Sequence, residues 1–244
     1  MIITSKKTFC ICIPTYNRLD LLIPSLMMYA IEMPDIDIFV YDDGCQMVSV
    51  NVLNSFLVDA LMDTCNPKNI RYLYRVGEKT KSIGVAGAWN ILMETAFKQY
   101  DYVLMLNDDV YLHTYEWTIN STIFMMETSG NDMFLCENKF DWSSFLISKK
   151  CFETVGCFDE TFYPAYLEDM DYLYRMRLLR QQGKIKFDYI PSLNPTIFRR
   201  SSTLLKGGAI AEEINEAQVK NKNYYLQKWG GPVGAEIFKT EFGK

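Results

Sequence analysis

The chain has 244 residues, 49% of them hydrophobic, which is enough to bury a substantial core in one domain, or in one domain with a small appendage. Its formal net charge is −5, so no global basic field favours nucleic acid or an anionic membrane. No apolar stretch reaches the length of a membrane span, and the N-terminus lacks the apolar core of a signal peptide. These features predict a soluble protein without a nucleic-acid partner.

The cysteines and the histidine argue against a structural zinc site. The cysteine count, seven, is odd, and Cys10 and Cys12 would lie on the same face of one predicted strand. This favours free, buried thiols in a reducing compartment, and therefore a cytoplasmic protein. No Cys-x-x-Cys occurs, and the lone histidine, His113, is more typical of a surface or loop residue than of a metal ligand.

The first half of the chain alternates strands and helices. Strands are predicted over 8–13 (stopping at Pro14), 36–41, 70–74 and 101–107, and helices over 19–31, 47–63 and 88–98. A glycine-punctuated loop from Gly77 to Gly87 precedes the last of these helices. The alternation predicts right-handed βαβ units and a mostly parallel sheet.

The second half is less regular. Helices are predicted over 114–128, 168–182 and 209–227, and strands over 133–136, 143–147 and 185–190. Gly183 is a stop signal for the second of these helices, and a turn is predicted over 228–231. No internal repeat or clear linker is visible, which favours a single domain.

Polar residues follow three of the predicted parallel strands. They are Thr15–Arg18, Asp42–Asp43 and Asn107–Asp109. The carboxyl ends of parallel strands meet at one edge of a sheet, where ligands bind. Paired carboxylates there suit Mg²⁺ or Mn²⁺, which share oxygen ligands with a substrate phosphate. Taken singly, an Asp-Asp pair is also an ordinary turn or capping signal, but the convergence favours a metal site.

Two of these segments have the residue types of a nucleoside site. In Pro14–Arg18, a tyrosine ring beside polar turn residues suits a nucleobase and its ribose, although Asn17 or Asp20 would also serve as a helix N-cap. In Asp42–Gly44, a carboxylate suits a base N–H or a ribose hydroxyl, and the alternative is a turn.

Two further segments could carry chemistry at helix starts. Gly84 and Gly87 precede a predicted helix whose N-terminus would favour phosphate, without forming a dinucleotide fingerprint or a Walker loop. Glu168, Asp169 and Asp171 crowd the first turn of another helix, where acids complement the helix dipole. Three carboxylates exceed what capping requires, so one of them is a candidate general base.

The ordered set of motifs resembles family 2 glycosyltransferases with the GT-A fold, over roughly residues 8–200. The matching segments are Ile13–Arg18, Val40–Gly44, Ser82–Asn90, Leu106–Val110, Ser144–Phe162 and Leu167–Asp171. The resemblance implies an α/β protein whose central sheet is mixed, mostly parallel and flanked by helices. It implies a GT-A domain over 1–205, with a nucleotide-sugar half over 1–110 and an acceptor half over 111–205. Residues 206–244 would form a C-terminal helical extension.

The family's activity is the inverting transfer of a sugar from a nucleotide-sugar, most simply a UDP-sugar, to a hydroxyl of a glycan or other acceptor. By position, Asp169 would be the general base and Asp109 the ligand of Mn²⁺ or Mg²⁺, with Glu168, Asp171, Trp142 and Tyr166 on the acceptor side. The nucleotide-sugar would be bound by Pro14, Thr15, Tyr16, Asn17, Arg18, Asp42, Asp43, Gly84, Gly87, Asn90, Asn107 and Asp108.

Several residues depart from the family pattern. Asn107 stands first in the Asp-x-Asp motif, Ser82 stands where an asparagine is frequent, and 194–202 lacks the histidine that many members use as a metal ligand. Asn194 or water would take that place, or Arg199 or Arg200 would meet the diphosphate directly. Arg175 would help to shape the general-base site.

Three other functions are alternatives to a glycosyltransferase. A nucleotidyltransferase would need a lysine- and glycine-rich phosphate loop, which Pro14–Arg18 does not supply. A catalytically silent nucleotide-sugar-binding domain is favoured by the missing histidine and disfavoured by Asp109 and Asp169. A dehydrogenase is disfavoured by the absent dinucleotide fingerprint. Trp142, Phe162, Tyr163 and Tyr166 offer stacking surface for an acceptor, with core packing as the alternative.

Overall fold

In the computed structural model, residues 8–44, 70–74, 82–137, 142–197 and 209–244 are described. The strands are β1 (Phe9–Thr15), β2 (Ile38–Asp42), β3 (Ile70–Tyr74), β4 (Tyr102–Leu106), β5 (Val110–Tyr111), β6 (Met133–Cys136), β7 (Ser144–Ser148), β8 (Phe187–Ile190) and β9 (Thr196–Ile197). The helices are α1 (Leu19–Glu32), α2 (Gly84–Ala96), α3 (Glu116–Thr128), α4 (Lys149–Val155), α5 (Glu168–Gln181) and α6 (Ala209–Trp229).

Seven strands form one sheet in the order β3-β2-β1-β4-β7-β6-β8. Strand β7 is antiparallel to both of its neighbours, and the other described pairs in this sheet are parallel. Strands β5 and β9 form a separate antiparallel pair beyond the end of β4. The prediction of a mixed, mostly parallel α/β sheet is therefore confirmed.

The sheet is buried on both faces, which explains why its strands are continuously apolar. Phe9, Ile11 and Ile13 of β1 belong to the core on the side of α1 and α3. Cys10 and Cys12 point to the opposite core, which α2 and α5 cover. Both thiols are buried and free, as their spacing predicted.

Some boundaries differ from the prediction. Strand β1 runs through Pro14 to Thr15, because pairing with β4 ends at Cys12 while pairing with β2 continues to Thr15. A proline is tolerated where one side of the ladder has already ended. Helix α2 begins at Gly84, four residues earlier than predicted, and α6 continues through Trp229, so that the predicted turn begins later.

Other elements escaped the prediction or cannot be compared with it. Helix α4 and the strands β5 and β9 were missed, since each is too short to show a periodicity. The helix predicted over 47–63 lies outside the described residues, as does most of the loop that precedes α2. His113 is exposed and forms an ion pair with Glu32 at 2.9 Å, in agreement with the expected surface position.

The C-terminal helix is joined to α5 through a buried lysine. The Nζ atom of Lys228 lies 2.7 Å from Asp159, 2.9 Å from Asp171 and 3.0 Å from Glu241. Trp229 donates its indole N–H to Asp171 at 2.9 Å. Around this ion group pack the rings of Phe162, Tyr174, Tyr225 and Trp229.

The charges of this group stabilise one another. Burial by itself would raise the pKa of Asp159, but hydrogen bonds from Lys228 and Thr161 lower it to about 2. Burial likewise opposes the charge of Lys228, yet Asp171 and Asp159 raise its pKa to about 12. Asp159 and Lys228 are therefore both ionised over the physiological range, and the contacts of Lys228 and Trp229 with Asp171 fix α6 against α5. Within the described residues, no helix is long and apolar enough to cross a membrane.

Candidate active site

A cavity of about 380 Å³ opens at the carboxyl ends of β1, β2 and β4. Its other walls come from the start of α2, the start of α5, the loop 163–166 and the first turns of α6. Among the described residues that line it are six acids and a single guanidinium group, that of Arg18. The acids are Asp43, Asp108, Asp109, Glu168, Asp169 and Glu213.

The strand ends place the acids Asp108 and Asp109 on one wall. Thr15, the last residue of β1, donates its hydroxyl to Asp108 at 2.6 Å. Burial raises the pKa of Asp108 to about 7, against the Thr15 hydrogen bond, and the neighbouring charge of Asp109 raises it further. A negative charge on Asp108 is therefore energetically unfavourable, and a cation bound at this wall would stabilise it.

Arg18 is buried at the rim of the same wall. Asp20 accepts hydrogen bonds from its Nε at 2.8 Å and from one terminal nitrogen at 3.0 Å. The hydrogen bond to Asp20 raises the pKa of Arg18, against its own burial, and Asp108 and Asp109 raise it further. Its other terminal nitrogen, Nη1, is buried and has no hydrogen-bond partner among the described residues. This nitrogen is a donor left over for a ligand in the cavity.

Asp43 forms the cap of α2 from outside the helix. Its carboxylate accepts from the backbone N–H of Ile83 at 2.9 Å and of Gly84 at 3.0 Å, and from the Ser82 hydroxyl. The next N–H, that of Val85, donates to the carbonyl of Pro164 at 2.9 Å. The N-terminus of α2 is thus already occupied by protein acceptors, contrary to the expectation that it would be open to phosphate.

The two glycines of this segment serve close packing. A Cβ on Gly84, whose φ is +76°, would lie 2.6 Å from the carbonyl oxygen of Pro164. A Cβ on Gly87 would meet the Ile83 side chain at 3.1 Å. Gly84 lines the cavity, whereas Gly87 does not.

The start of α5 places Glu168 and Asp169 on the wall of the cavity. Asp169 accepts a hydrogen bond from the N–H of Met170 at 2.7 Å, which orients its carboxylate. Glu168 is only 5% exposed, and its Oε2 has no hydrogen-bond partner among the described residues. Burial, and secondly the charge of Asp169, raise the pKa of Glu168 well above its usual range. Of the two groups, Glu168 is therefore the one whose burial favours the neutral form.

Most of the predicted site residues line this one cavity. They are Pro14, Thr15, Tyr16, Arg18, Asp43, Gly84, Asn107, Asp108, Asp109, Trp142, Tyr166, Glu168 and Asp169. Five others lie outside it: Asn17, Asp42, Gly87, Asn90 and Asp171. Residues from six separate segments thus converge on one cavity.

The polar residues outside the cavity have structural contacts instead. The exposed side chain of Asn17 packs against Gly44. Asp42 accepts from the N–H of Gly44 at 3.1 Å. Asn90 bonds both the carbonyl and the N–H of Phe158, at 3.0 and 2.8 Å.

Asp171 and Arg175, one helical turn apart in α5, belong to the ion group around Lys228. Asp171 is fully buried beside Lys228 and Trp229, and Arg175 reaches it at 2.9 Å. Arg175 also donates to the carbonyls of Val155 and Cys157, each at 2.9 Å. Both side chains therefore stabilise α5 rather than line the site.

The other predicted residues are divided between core and surface. Phe162 is buried in the cluster between α5 and α6, so for this ring the core-packing alternative is the correct one. Tyr163 lines the cavity. Asn194 bonds Glu137 and does not line the cavity, and Arg199 and Arg200 lie outside the described residues.

Sequence reasoning missed several cavity residues. Trp89 was part of a matched motif but was given no role, although its indole N–H is buried without a partner among the described residues. Pro164 and Ala165 come from the loop before α5, and Glu213 and Ile214 from α6. The sequence around Glu213 and Ile214 carries no signal for a site, because these residues reach the cavity only through the packing of α6.

The acids fit a divalent cation that shares its ligands with a substrate. No group of three or more His, Cys, Asp or Glu ligands comes together within the described ranges. Mg²⁺ and Mn²⁺ are commonly held by one or two carboxylates and complete their shell with phosphate oxygens and water. Asp109, with Asp108 beside it, supplies that kind of donor set.

The sheet order and the acid-lined cavity at its carboxyl edge define an α/β protein of the GT-A type. Residues 10–140, more than half of the chain, match the profile described as Glycosyl transferase family 2. The chain therefore belongs to glycosyltransferase family 2.

Two solved structures illustrate the fold. Mannosyltransferase PcManGT from Pyrobaculum calidifontis, in complex with GDP-Man and Mn²⁺, has a TM-score of 0.59 at 12% identity, over 92% of this chain and 71% of that one. Glucosyl-3-phosphoglycerate synthase from Mycobacterium tuberculosis, in complex with Mg²⁺ and UDP, has a TM-score of 0.54 at 13% identity, over 88% of this chain and 79% of that one.

A sequence relative covers a shorter stretch. A galactofuranosyl glycosyltransferase of Leishmania donovani is 34% identical over 95 residues. The match spans 39% of this chain and 20% of that protein.

We predict that Glu168→Gln stabilises the protein more at pH 8 than at pH 5. A carboxyl whose pKa is raised on folding binds more protons in the folded state, so the wild type loses stability as pH rises above the unfolded pKa. The neutral amide escapes this loss. Urea denaturation at the two pH values measures the difference, and Glu216→Gln, an exposed site on α6, should show none. An equal effect at both pH values would show that Glu168 is ionised in the folded protein.

Proposed function

We propose that this protein is an inverting glycosyltransferase that moves a sugar from a nucleotide-diphosphate sugar, most simply a UDP-sugar, to a hydroxyl of a glycan or other acceptor. One observation carries the proposal: Asp169 at the start of α5 lines the same cavity as Asp108 and Asp109 at the end of β4. A candidate base and a candidate diphosphate site thus share one space of about 380 Å³. The donor half would be residues 1–110 and the acceptor half 111–205.

In this mechanism Asp169 is the general base. The acceptor hydroxyl lies against its carboxylate and gives up its proton as the oxygen attacks the anomeric carbon. The nucleoside diphosphate leaves from the opposite face of the sugar, so a single displacement inverts the anomeric configuration. The hydrogen bond from Met170 keeps the carboxylate in one orientation for this step.

The leaving diphosphate belongs on the wall formed by Asp108, Asp109 and Arg18. Asp109 would hold Mn²⁺ or Mg²⁺, with Asp108 beside it, and the cation would neutralise the charge that develops on the leaving group. Support for a metal comes from the donor set and from the two structural neighbours, whose structures contain Mn²⁺ or Mg²⁺. The unpartnered Nη1 of Arg18 supplies a second, permanent positive charge for the phosphates.

The nucleoside and the acceptor have separate walls. Thr15, Tyr16 and Asp43 lie at the ends of β1 and β2, where a base and a ribose would bind. Trp142 and Tyr166 also line the cavity and offer aromatic surface on which an acceptor sugar would stack, whereas Tyr163 lies near Ser82 and Asp43. We assign the reaction to the cytoplasm, because Cys10, Cys12, Cys136 and Cys151 are buried free thiols.

We predict that Asp169→Asn lowers the rate of UDP release from the sugar donor by about 100-fold or more, because the amide cannot accept the proton. Titration calorimetry should give a Kd for UDP within about threefold of the wild-type value, because Asp169 acts on the acceptor hydroxyl and not on the nucleotide. A tenfold change in Kd would correspond to about 1.4 kcal/mol. Asp188→Asn, an exposed acid on β8, is the matched control and should leave both quantities unchanged. Wild-type turnover in Asp169→Asn would remove this residue from the base role.

We predict that EDTA weakens UDP binding to the wild type by at least about tenfold relative to 1 mM Mn²⁺, because chelation would remove the positive charge that Asp109 would hold next to the diphosphate. In Asp109→Ala, UDP binding should be equally weak with Mn²⁺ and with EDTA. Calorimetric titrations of both proteins under both conditions measure this. Tight UDP binding by the wild type in EDTA would contradict the metal site while leaving Asp169 untouched.

A further inference from the structure

Asn221 of the C-terminal helix holds the loop that leads into α5. Its side chain is fully buried, and its amide nitrogen donates to the carbonyl of Ala165 at 2.9 Å and to that of Tyr166 at 3.1 Å. The two carbonyls belong to successive residues, so a single side chain fixes two neighbouring peptide groups.

The loop adopts a backbone conformation that needs such support. Tyr166 and Leu167 both have φ near +75°, and neither is glycine. L-amino acids with bulky side chains rarely adopt this left-handed region, and two in succession are held only when surrounding contacts determine them. Leu167 then begins α5, since its carbonyl accepts from the N–H of Asp171 at 2.9 Å.

The orientation of this turn decides where Asp169 points. Asp169 follows Leu167 by two residues and lines the cavity from the first turn of α5. A rotation about the Tyr166 or Leu167 backbone would swing that whole turn. The helix that supplies Asn221 is itself fixed to α5, because Lys228 and Trp229 both bind Asp171.

We propose that Asn221 is a positioning residue for Asp169: it fixes the left-handed turn before α5 and thereby sets the angle at which the carboxylate meets the acceptor hydroxyl. The proposal rests on the proposed function, in which Asp169 is the base. It makes α6, which lies outside the matched residues 10–140, a required part of the active site.

The substitution Asn221→Leu separates positioning from general stabilisation. The amide oxygen of Asn221 is buried with no hydrogen-bond partner among the described residues, which is an unfavourable state for a polar atom. Leucine, of similar size, would remove that unsatisfied acceptor, but it would also leave the carbonyls of Ala165 and Tyr166 without this donor. A loss of stability is therefore expected in either case, and only a positioning role predicts that the folded variant loses kcat.

The test compares Asn221→Leu with Asn223→Leu, which changes an exposed asparagine on the same helix. Because a misplaced catalytic group typically costs up to about 100-fold, Asn221→Leu should lower kcat for UDP release by about 10- to 100-fold. Its Kd for UDP should stay within twofold of the wild-type value, and Asn223→Leu should behave as wild type. If kcat of Asn221→Leu lies within twofold of that of Asn223→Leu, the proposal is wrong.

Two further measurements separate positioning from other effects. In an Asp169→Asn background Asn221→Leu should cause no additional loss of rate, because its effect passes through Asp169; an equal loss in both backgrounds overturns the proposal. If Asn221→Leu does not fold, the smaller, uncharged Asn221→Ala, which also removes the amide donor, takes its place.

Hydrogen exchange of the ligand-free protein gives a readout that does not depend on activity. The amides of residues 167–171 should exchange faster in the Asn221 variant than in Asn223→Leu, and equal exchange refutes the proposed positioning. If the wild-type protein transfers no sugar while the two variants still differ in exchange, the proposed function is refuted.

Discussion

The charge of the cavity is the constraint on which the rest of the account depends. Six carboxyl groups line it, against one guanidinium among the described residues. Two like charges 4 Å apart repel by about 4 kcal/mol at an effective dielectric constant of 20, so a diphosphate cannot enter such a space without compensation. The protein itself relieves part of the repulsion. The carboxylate of Asp43 accepts hydrogen bonds from the backbone N–H groups of Ile83 and Gly84, and burial favours the neutral form of Glu168 and raises the pKa of Asp108 to about 7. The remaining negative charge favours the cation that we propose beside Asp108 and Asp109.

The same electrostatics separates the roles of the acids. Asp108 and Asp109 share the wall with Arg18, where the negative charge of a leaving group would be balanced. Asp169 lies on another segment, next to a carboxyl group that prefers to be neutral. One wall is thus suited to hold phosphate and the other to accept a proton. This division is what a single-displacement transfer needs.

A second set of contacts fixes the start of α5, which carries Asp169. Lys228 joins α6 to α5 through the buried carboxylate of Asp171 and also binds the half-buried Asp159, and Asn221 contacts the turn before Asp169. Breaking a buried ion pair by removing one partner typically costs about 3–5 kcal/mol, so this junction is rigid. The C-terminal helix is therefore integral to the site, although by sequence it looked like an extension.

The sequence predicted the parts of the structure that depend on local pattern. Strands β1, β2 and β4 are buried on both faces, and their continuous apolarity identified them. The polar residues at their ends could be grouped because parallel strands end at one edge of a sheet.

Features that depend on tertiary contacts could not be predicted. Gly84 was assigned to a loop because glycine is a poor helix former, but it is needed at the start of α2 for the close approach of Pro164. Asp171 was placed in the site because it shares a helical turn with Asp169, yet it turns towards Lys228. The partner that decides its role is 57 residues away, and no local periodicity shows it.

The configuration of the released sugar tests the central claim most directly. The wild-type protein with Mn²⁺ would be incubated with a panel of UDP-sugars. Proton NMR then follows the first anomer released on hydrolysis, before mutarotation. An anomer opposite to that of the donor is the result expected if Asp169 directs a single displacement across this cavity. Release of the donor's own configuration would contradict the account.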